Sequence, residues 1–326
     1  MSTLARMLLV TRLWSRWGLA GLAGLAGLMC LMAPSVAFAE DADAYYKQGL
    51  AYKQEGKPDQ AIEALEHAVA ANPKHYQAWA SLGNLYKTAR KDIPRAVAAY
   101  EHAVQGIKKD KVVWENLGTA YFRNNQVDQA LKALVTASTL DPNDAEIRFN
   151  LGTVRRQTGD YPGAIADLEV AVRLKPDEAQ YANNLGVAYR FAKRDDDAIK
   201  AHQKAIALAP DNASFHMNLA VVYRRQTAKN PDLIPQAITE YEKATSLDPT
   251  IADGWWDLGL MYKEDHQNDK AIAAFQKYIE LNHGKDKGGQ KRAEDEIGAM
   301  GGAVPGDKPD KRPRAKDPAK KPPAKK

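Results

Sequence analysis

Asparagines recur in this sequence at a fixed interval of 34 residues, and their side chains are suited to holding a peptide. The four in this register are Asn116, Asn150, Asn184 and Asn218. An asparagine amide presents a hydrogen-bond acceptor and a donor side by side, so it can pair with the C=O and N–H groups of an extended backbone. The spacing therefore predicts a row of backbone-binding amides.

A second column of residues lies six positions after the asparagine position of each repeat. Its members are Lys53, Lys87, Phe122, Arg156, Arg190, Arg224 and Lys263. All but Phe122 are basic, and Arg123 and Arg225 add positive charge next to the column. Such groups bind carboxylates through charge-assisted hydrogen bonds. Trp256 and Phe149, one residue before the asparagine position, offer apolar anchors. These columns favour an extended, acidic protein segment as the partner.

Motifs for catalysis or metal binding are not found in the sequence. The seven histidines form no H-x-x-E-H or paired i,i+4 arrangement, and no G-x-S-x-G, P-loop or G-x-G-x-x-G stands at a strand-to-helix turn. We therefore predict no enzyme activity, no cofactor and no metal site.

The elements that position these columns are copies of one unit, laid in register from residue 42 to residue 285. The third copy shows the pattern W-x2-L-G-x2-Y, then A-x3-L, then A and P, at Trp114, Leu117, Gly118, Tyr121, Ala130, Leu134, Ala137 and Pro142. Two apolar stretches at helical spacing, separated by a turn and ended by proline, indicate a helix-turn-helix unit. The copies span about residues 42–75, 76–110, 111–144, 145–178, 179–212, 213–251 and 252–285.

This pattern resembles the tetratricopeptide repeat (TPR) family. The resemblance implies an all-α fold, a right-handed superhelix (α-solenoid) of antiparallel helix pairs, with the asparagine and basic columns on its concave face. The row of asparagines at residues 116, 150, 184 and 218 resembles the ladder of the O-linked N-acetylglucosamine transferase repeat domain, where asparagines hold peptide backbone. Asn84 and Asn116 also fall at the asparagine positions of the co-chaperone carboxylate clamp, but Ala80 and Glu146 stand where that clamp has lysines. The alternative is that the asparagines are only repeat background on a polar surface.

Two copies are longer than the others. The second carries one extra residue and the sixth carries five, both between the paired helices, where Leu233 and Ile234 are expected to be exposed. A polar capping helix is predicted at residues 286–300.

The ends differ in composition from this body. Residues 1–39 carry three arginines and no acid, then a glycine-rich apolar run and Ala37-Phe38-Ala39, which predicts a signal peptide cleaved between Ala39 and Glu40. An uncleaved anchor and a lipid-anchored Cys30 are the less favoured alternatives. Cys30 is the one cysteine, so the cleaved chain has no thiol.

The final segment, residues 301–326, holds nine Lys/Arg and three Asp, and we expect a disordered basic tail. The chain has a formal net charge of +5, so the tail at +6 and the leader at +3 leave −4 for residues 40–300. The function predicted is a non-enzymatic protein-interaction scaffold in the bacterial periplasm or on the periplasmic face of the cell envelope. The alternative is an envelope tether whose tail binds an anionic polymer such as lipopolysaccharide, cell-wall material or nucleic acid.

Overall fold

The computed structural model describes the chain from residue 33 to residue 303, with side chains from residue 41. This part contains fifteen α-helices and no strand. In chain order they are α1 (Ala33–Gln54), α2 (Pro58–Ala71), α3 (Tyr76–Leu85), α4 (Ile93–Gly106), α5 (Lys111–Arg123), α6 (Val127–Leu140), α7 (Ala145–Gln157), α8 (Tyr161–Leu174), α9 (Ala179–Phe191), α10 (Asp195–Leu208), α11 (Ala213–Gln226), α12 (Ile234–Leu247), α13 (Ala252–Glu264), α14 (Asn268–Asn282) and α15 (Lys287–Ala299).

Consecutive helices pack in pairs, and the pairs fall into two compact units. Unit 1 ends at Leu140 and contains the pairs α1/α2, α3/α4 and α5/α6. Unit 2 begins at Asp141 and contains α7/α8, α9/α10, α11/α12 and α13/α14, followed by α15. The predicted all-α fold of antiparallel helix pairs is confirmed.

Small residues let the two helices of each pair cross at close range. A Cβ placed on Gly118 would lie 2.6 Å from the Leu134 side chain, and one on Gly83 would lie 2.6 Å from the Tyr100 ring. The first alanine of the second helix is fully buried in every pair, as Ala61, Ala96, Ala130, Ala164, Ala198, Ala237 and Ala271. Because a helix pair cannot bury both of its apolar faces alone, each pair also packs on the next within its unit.

The turns inside the pairs share one backbone feature. Six of them contain a residue with positive φ, at Gly56, Lys91, Asn125, Gly159, Lys193 and His266. The extra residue of the second copy is accommodated by a π-helical turn, Tyr86–Arg90, which directly follows α3. The five extra residues of the sixth copy form a longer turn that ends in a 3₁₀ turn, Pro231–Leu233.

The expected exposure of Leu233 and Ile234 is wrong. Ile234 is only 8% exposed and Leu233 packs against the same apolar cluster, because α12 begins at Ile234 and this residue opens its buried stripe. The longer turn is therefore exposed at residues 228–232 and packs on the apolar cluster through the two residues that follow them.

In unit 2 the first helices of successive pairs approach one another, since α9 packs directly against both α7 and α11. Helices that converge in this way line the inner side of a stack of pairs. We call the side of α7, α9, α11 and α13 that carries Asn150, Asn184, Asn218 and Asp257, with the residues one before and six or seven after each, the inner face.

Both predicted ends lie largely outside the described residues. Residues 1–32 of the leader and 304–326 of the tail are not described, and α1 runs through the predicted cleavage position at Ala39 and Glu40. The polar helix α15 lies where residues 286–300 predicted a cap, and its Ala293 and Ile297 are fully buried. Within the described residues, none of the helices combines the length and apolar character that a membrane crossing requires.

Candidate functional site

The asparagines of the inner face are already engaged in bonds within the protein, and one of these bonds joins two repeats. Asn218 on α11 donates its Nδ2 to Oδ1 of Asn183 on α9 at 3.0 Å. Asn184 is nearly buried and donates its Nδ2 to the Gln180 carbonyl oxygen, one turn earlier in its own helix. Asn218 keeps its Oδ1 free of hydrogen bonds to the described residues. Asn150 is partly exposed and also interacts with its surroundings.

Asn183, rather than an asparagine of the 34-residue register, is the centre of this network. It is buried, and its Oδ1 accepts from Asn218 and from Nδ1 of His202 on α10, again at 3.0 Å. In the other copies the position of His202 holds Leu65, Tyr100, Leu134, Leu168, Tyr241 or Phe275. The interruption of this apolar column is the sequence signal that could have identified the network.

His202 is held in its neutral form. Its side chain is fully buried against Gly186, where a Cβ would lie 2.7 Å from the ring, and its Nε2 has no hydrogen-bond partner. Burial, and to a lesser degree the Arg190 cation, lower the pKa of His202 to about 4. Because the facing Oδ1 of Asn183 can only accept, the proton of the neutral ring is assigned to Nδ1, which donates it to Asn183.

Three basic groups of the inner face are already paired inside the protein. Arg224 donates through Nε to the Tyr241 hydroxyl at 3.2 Å and its NH2 lies 3.5 Å from an Asp257 carboxylate oxygen. Burial opposes the charge of Arg224, but the Asp257 carboxylate and the Tyr241 hydroxyl outweigh it and raise the pKa of this guanidinium. Arg225 lies 3.7 Å from Asp195 and donates to the Arg190 carbonyl oxygen, and Lys263 lies 2.5 Å from Glu296 of α15.

Arg156 and Arg190 differ from these neighbours. Neither has a carboxylate oxygen within 4 Å among the described residues, and the Nε of each is buried without a hydrogen-bond partner. Burial lowers the pKa of both guanidiniums, and for Arg190 the nearby cations of Arg225 and Arg156 lower the pKa further. They are the uncompensated charges of the inner face.

An exposed aromatic ring lies close to both arginines. The guanidinium carbon of Arg190 is 4.5 Å and that of Arg156 is 6.0 Å from the centre of the Phe191 ring. Phe191 is 40% exposed and its other neighbour is Tyr161, stacked at 5.6 Å. Phe191 falls next to the basic column but was not among the residues predicted to bind the partner.

The predicted anchor Trp256 is less available than its sequence position suggested. Its ring packs 5.2 Å from Phe275 and 5.4 Å from Tyr278, and the Arg292 guanidinium of α15 lies 5.8 Å from it. Phe149, the other anchor, is partly exposed and stacks on Tyr181 at 4.6 Å.

Unit 1 holds the remaining predicted site residues. Lys87 of the basic column donates to Oδ1 of Asn116, so here the two columns bind each other across successive repeats. Asn84 accepts from the Tyr100 hydroxyl at 2.8 Å, and Arg123 is exposed at the end of α5. In the described part of the chain, no three His, Cys, Asp or Glu side chains are grouped so that they could hold a metal ion.

Comparisons with known proteins agree with this fold. The model of the family described as "Cilia and flagella-associated protein 70 C-terminal domain", a TPR model, matches residues 20–247, and the model described as "Tetratricopeptide repeat" matches residues 252–283. No curated protein sequence matches the chain significantly.

Three solved structures share the fold at low sequence identity. A tetratricopeptide repeat protein from Parabacteroides merdae ATCC 43184 has a TM-score of 0.57 at 16% identity, covering 80% of this chain and 99% of that one. The pilF protein of Pseudomonas aeruginosa has a TM-score of 0.51 at 22% identity over 71% and 99%. YrrB, described as "a TPR protein with an unusual peptide-binding site", has a TM-score of 0.50 at 20% identity over 61% and 99%. The family and the fold together support a protein-interaction scaffold.

Proposed function

The chain belongs to the tetratricopeptide repeat family described as the C-terminal domain of cilia and flagella-associated protein 70, and on this premise we propose that it holds a partner protein. The partner binds as an extended segment along the inner face of unit 2, and the protein is a scaffold without an enzyme activity of its own. The observation that carries the proposal is the uncompensated charge of Arg156 and Arg190 beside an exposed aromatic ring.

The inner face offers the groups that such a segment needs. The free Oδ1 of Asn218 can accept from a backbone N–H, the two guanidiniums can donate to acidic side chains, and Phe191 supplies apolar contact. Extended peptides bind repeat proteins through this mixture of backbone and side-chain contacts, which leaves the fold of the scaffold unchanged.

We place the protein in the bacterial cell envelope because residues 1–39 have the composition of a secretory leader. N-terminal sequencing of the protein purified from envelope fractions is expected to begin at Glu40. Recovery of the full-length chain from the cytosol contradicts this location.

Site-specific photo-crosslinking tests the scaffold. A photoreactive residue at Gln180 or Ser214, exposed positions at the start of α9 and α11, is expected to crosslink the partner in envelope fractions. The matched control is Lys204, which is exposed on the second helix α10. Equal crosslinking from Lys204, or none from Gln180 and Ser214, contradicts binding at the inner face.

The tail suggests a second function, because its nine basic residues favour an anionic polymer. Gln276 donates to the Ala303 carbonyl oxygen and Gly302 N–H to that of Ile297, so a truncation should retain Ala303. Removal of residues 304–326 is expected to abolish binding to lipopolysaccharide vesicles. Undiminished binding of these vesicles by the truncated chain contradicts the tether.

A further inference from the structure

The cations of the inner face differ in how far the protein itself neutralises them. Arg224 faces Asp257, Arg225 faces Asp195 and Lys263 faces Glu296. On α7, Arg148 and Arg155 both pair with the buried Asp167, at 2.7 and 2.6 Å. Arg156 and Arg190 form no ion pair with a carboxylate of the described residues. These two arginines are therefore the groups that can select an acidic ligand.

The positions of these two guanidiniums are fixed by packing. Both lie within 6.0 Å of the Phe191 ring centre, which brings them to one small surface, and Tyr161 stacks on that ring at 5.6 Å. Each buries its Nε, whereas the terminal nitrogens of the two guanidiniums are not among the buried, unpartnered atoms. An arginine that is positioned in advance loses less side-chain entropy when it binds an anion.

Electrostatics makes this arrangement costly without a ligand. Burial takes both charges partly out of water and lowers the pKa of each guanidinium, and the Arg225 and Arg156 cations lower the pKa of Arg190 further. The Asp195 carboxylate raises the pKa of Arg190 by less than burial and the two cations lower it, and its ion pair is with Arg225 at 3.7 Å. A bound anion would neutralise the positive charge of the two guanidiniums, which the described carboxylates of the protein leave unpaired.

We propose that Arg156 and Arg190, both close to the Phe191 ring, form a carboxylate-binding site for an acidic side chain of the bound protein segment. The proposal rests on the proposed function and specifies the chemistry of its ligand. Two uncompensated cations suit one or two carboxylates, whereas a polyanion needs a long basic surface. Residues 40–300 carry a net charge of −4, which also disfavours a polyanion over a short acidic segment.

Peptide binding to the full chain tests the site. The probe is a rhodamine-labelled peptide in which glutamate alternates with serine, so that its carboxylates lie on one side when it is extended. The reference probe replaces each glutamate with glutamine. Fluorescence anisotropy at low ionic strength is expected to show binding of the glutamate peptide that is about tenfold tighter than that of the glutamine peptide.

The decisive variant is Arg156→Gln with Arg190→Gln, and the matched control is Arg173→Gln with Arg194→Gln. Both lower the net charge by two, but Arg173 and Arg194 are exposed on or next to the second helices. We expect a loss of about tenfold in affinity for the first variant and less than about twofold for the control. An equal loss in both, or no preference for the glutamate peptide, overturns the site.

Two further arms separate the remaining outcomes. If Arg156→Gln with Arg190→Gln fails to fold by circular dichroism, the double lysine variant, which keeps both charges but loses the planar fork, is expected to bind with intermediate affinity. Wild-type affinity of that lysine variant overturns a site built on arginine geometry. Tighter binding of rhodamine-labelled single-stranded DNA, lost in the glutamine variant, overturns the proposal in favour of a polyanion.

This experiment is independent of the scaffold's own test. Crosslinking from Gln180 that is undiminished in the Arg156→Gln, Arg190→Gln variant contradicts the carboxylate site and leaves the scaffold standing. Absence of crosslinking in the wild-type chain contradicts the scaffold, whichever result the peptide-binding measurement gives.

Discussion

At the scale of residues, His202 is a polar replacement in an otherwise apolar column. It fills the place that leucine, tyrosine or phenylalanine takes in the other pairs, and its Nδ1 binds Asn183 at 3.0 Å. In the folded protein the pKa of His202 is about 4, below the ordinary value of 6.5. The unfolded chain therefore binds more protons than the folded one between these two pH values.

It follows that the stability contributed by His202 is present above pH 6.5 and is lost as the pH falls towards 4. The difference amounts to about 3 kcal/mol across this interval. We expect urea unfolding at pH 7.5 and pH 4.5 to show a smaller pH effect for His202→Phe than for the wild type, by about that amount. Other groups titrate equally in both proteins, so parallel pH profiles would contradict a buried neutral histidine.

The asparagines illustrate what sequence spacing can and cannot predict about single residues. The interval of 34 residues correctly placed Asn150, Asn184 and Asn218 on successive first helices. It did not indicate that Asn218 pairs with Asn183, because the partner lies one residue out of register and depends on how α9 and α11 meet. The basic column also did not indicate that Arg224 is paired with Asp257 and Lys263 with Glu296. Each carboxylate lies more than thirty residues from its partner in the sequence, so the spacing of the column carries no information about it.

A substitution at Asn218 tests whether this asparagine stabilises the fold in addition to any role in binding. Asn218→Ala removes the bond to Asn183, which is expected to lower the free energy of unfolding by about 1 kcal/mol without any ligand. Ser214→Ala, one turn earlier on the same helix and exposed, is the control. Denaturant unfolding measures both, and an unchanged midpoint for Asn218→Ala would assign that asparagine to binding alone.

At the scale of elements, one hydrogen bond recurs between a first helix and the second helix of the preceding pair. In unit 2 it joins Tyr189 to Glu169 at 2.6 Å and Tyr223 to Gln203 at 3.2 Å, and it joins Tyr262 to Glu242. In unit 1 it joins Tyr86 to Glu66 and Tyr121 to Glu101. Burial, and then the bond to Glu169, raise the pKa of Tyr189, as expected for a phenol that donates to a carboxylate.

This bond fixes the stacking of α9 on α8. Tyr189→Phe keeps the ring and removes the donor, so we expect the free energy of unfolding to fall by about 1.5–3 kcal/mol, the usual range for a hydrogen bond to a charged group. Tyr161→Phe is the control, because the Tyr161 ring stacks on Phe191 but its hydroxyl binds none of the described residues. Equal stability of the Tyr189 and Tyr161 variants in thermal unfolding would show that ring packing alone orients the pairs.

At the scale of the whole chain, the fold was the most predictable property. The sequence contains seven copies of one pattern, and each copy has a glycine or alanine opposite a large side chain. Such copies can bury their apolar faces only by stacking as helix pairs, so the pattern predicts the fold. The division into two units at Leu140 and Asp141 was not predicted, because the repeat continues through this point without a change of period. Contact density, and not sequence period, sets such a division.

The last helix determines how unit 2 ends. Ala293 and Ile297 of α15 are fully buried in the cluster that contains Met261, Phe275 and Tyr278, and Glu296 binds Lys263. Removing α15 uncovers this cluster, and the lost burial of Ile297 and Ala293 corresponds to about 3 kcal/mol.

Because a stack of repeats is stabilised by nearest neighbours, this loss should remain local. A chain that ends at Asn282 is expected to exchange amide hydrogens faster in α13 and α14 than a control chain that ends at Ala303, while α7 and α8 exchange at unchanged rates. Hydrogen exchange read by mass spectrometry resolves these helices separately. Uniform acceleration throughout unit 2 would mean that its four pairs unfold as one cooperative body, and α15 would then stabilise the inner face as well as the end of the stack.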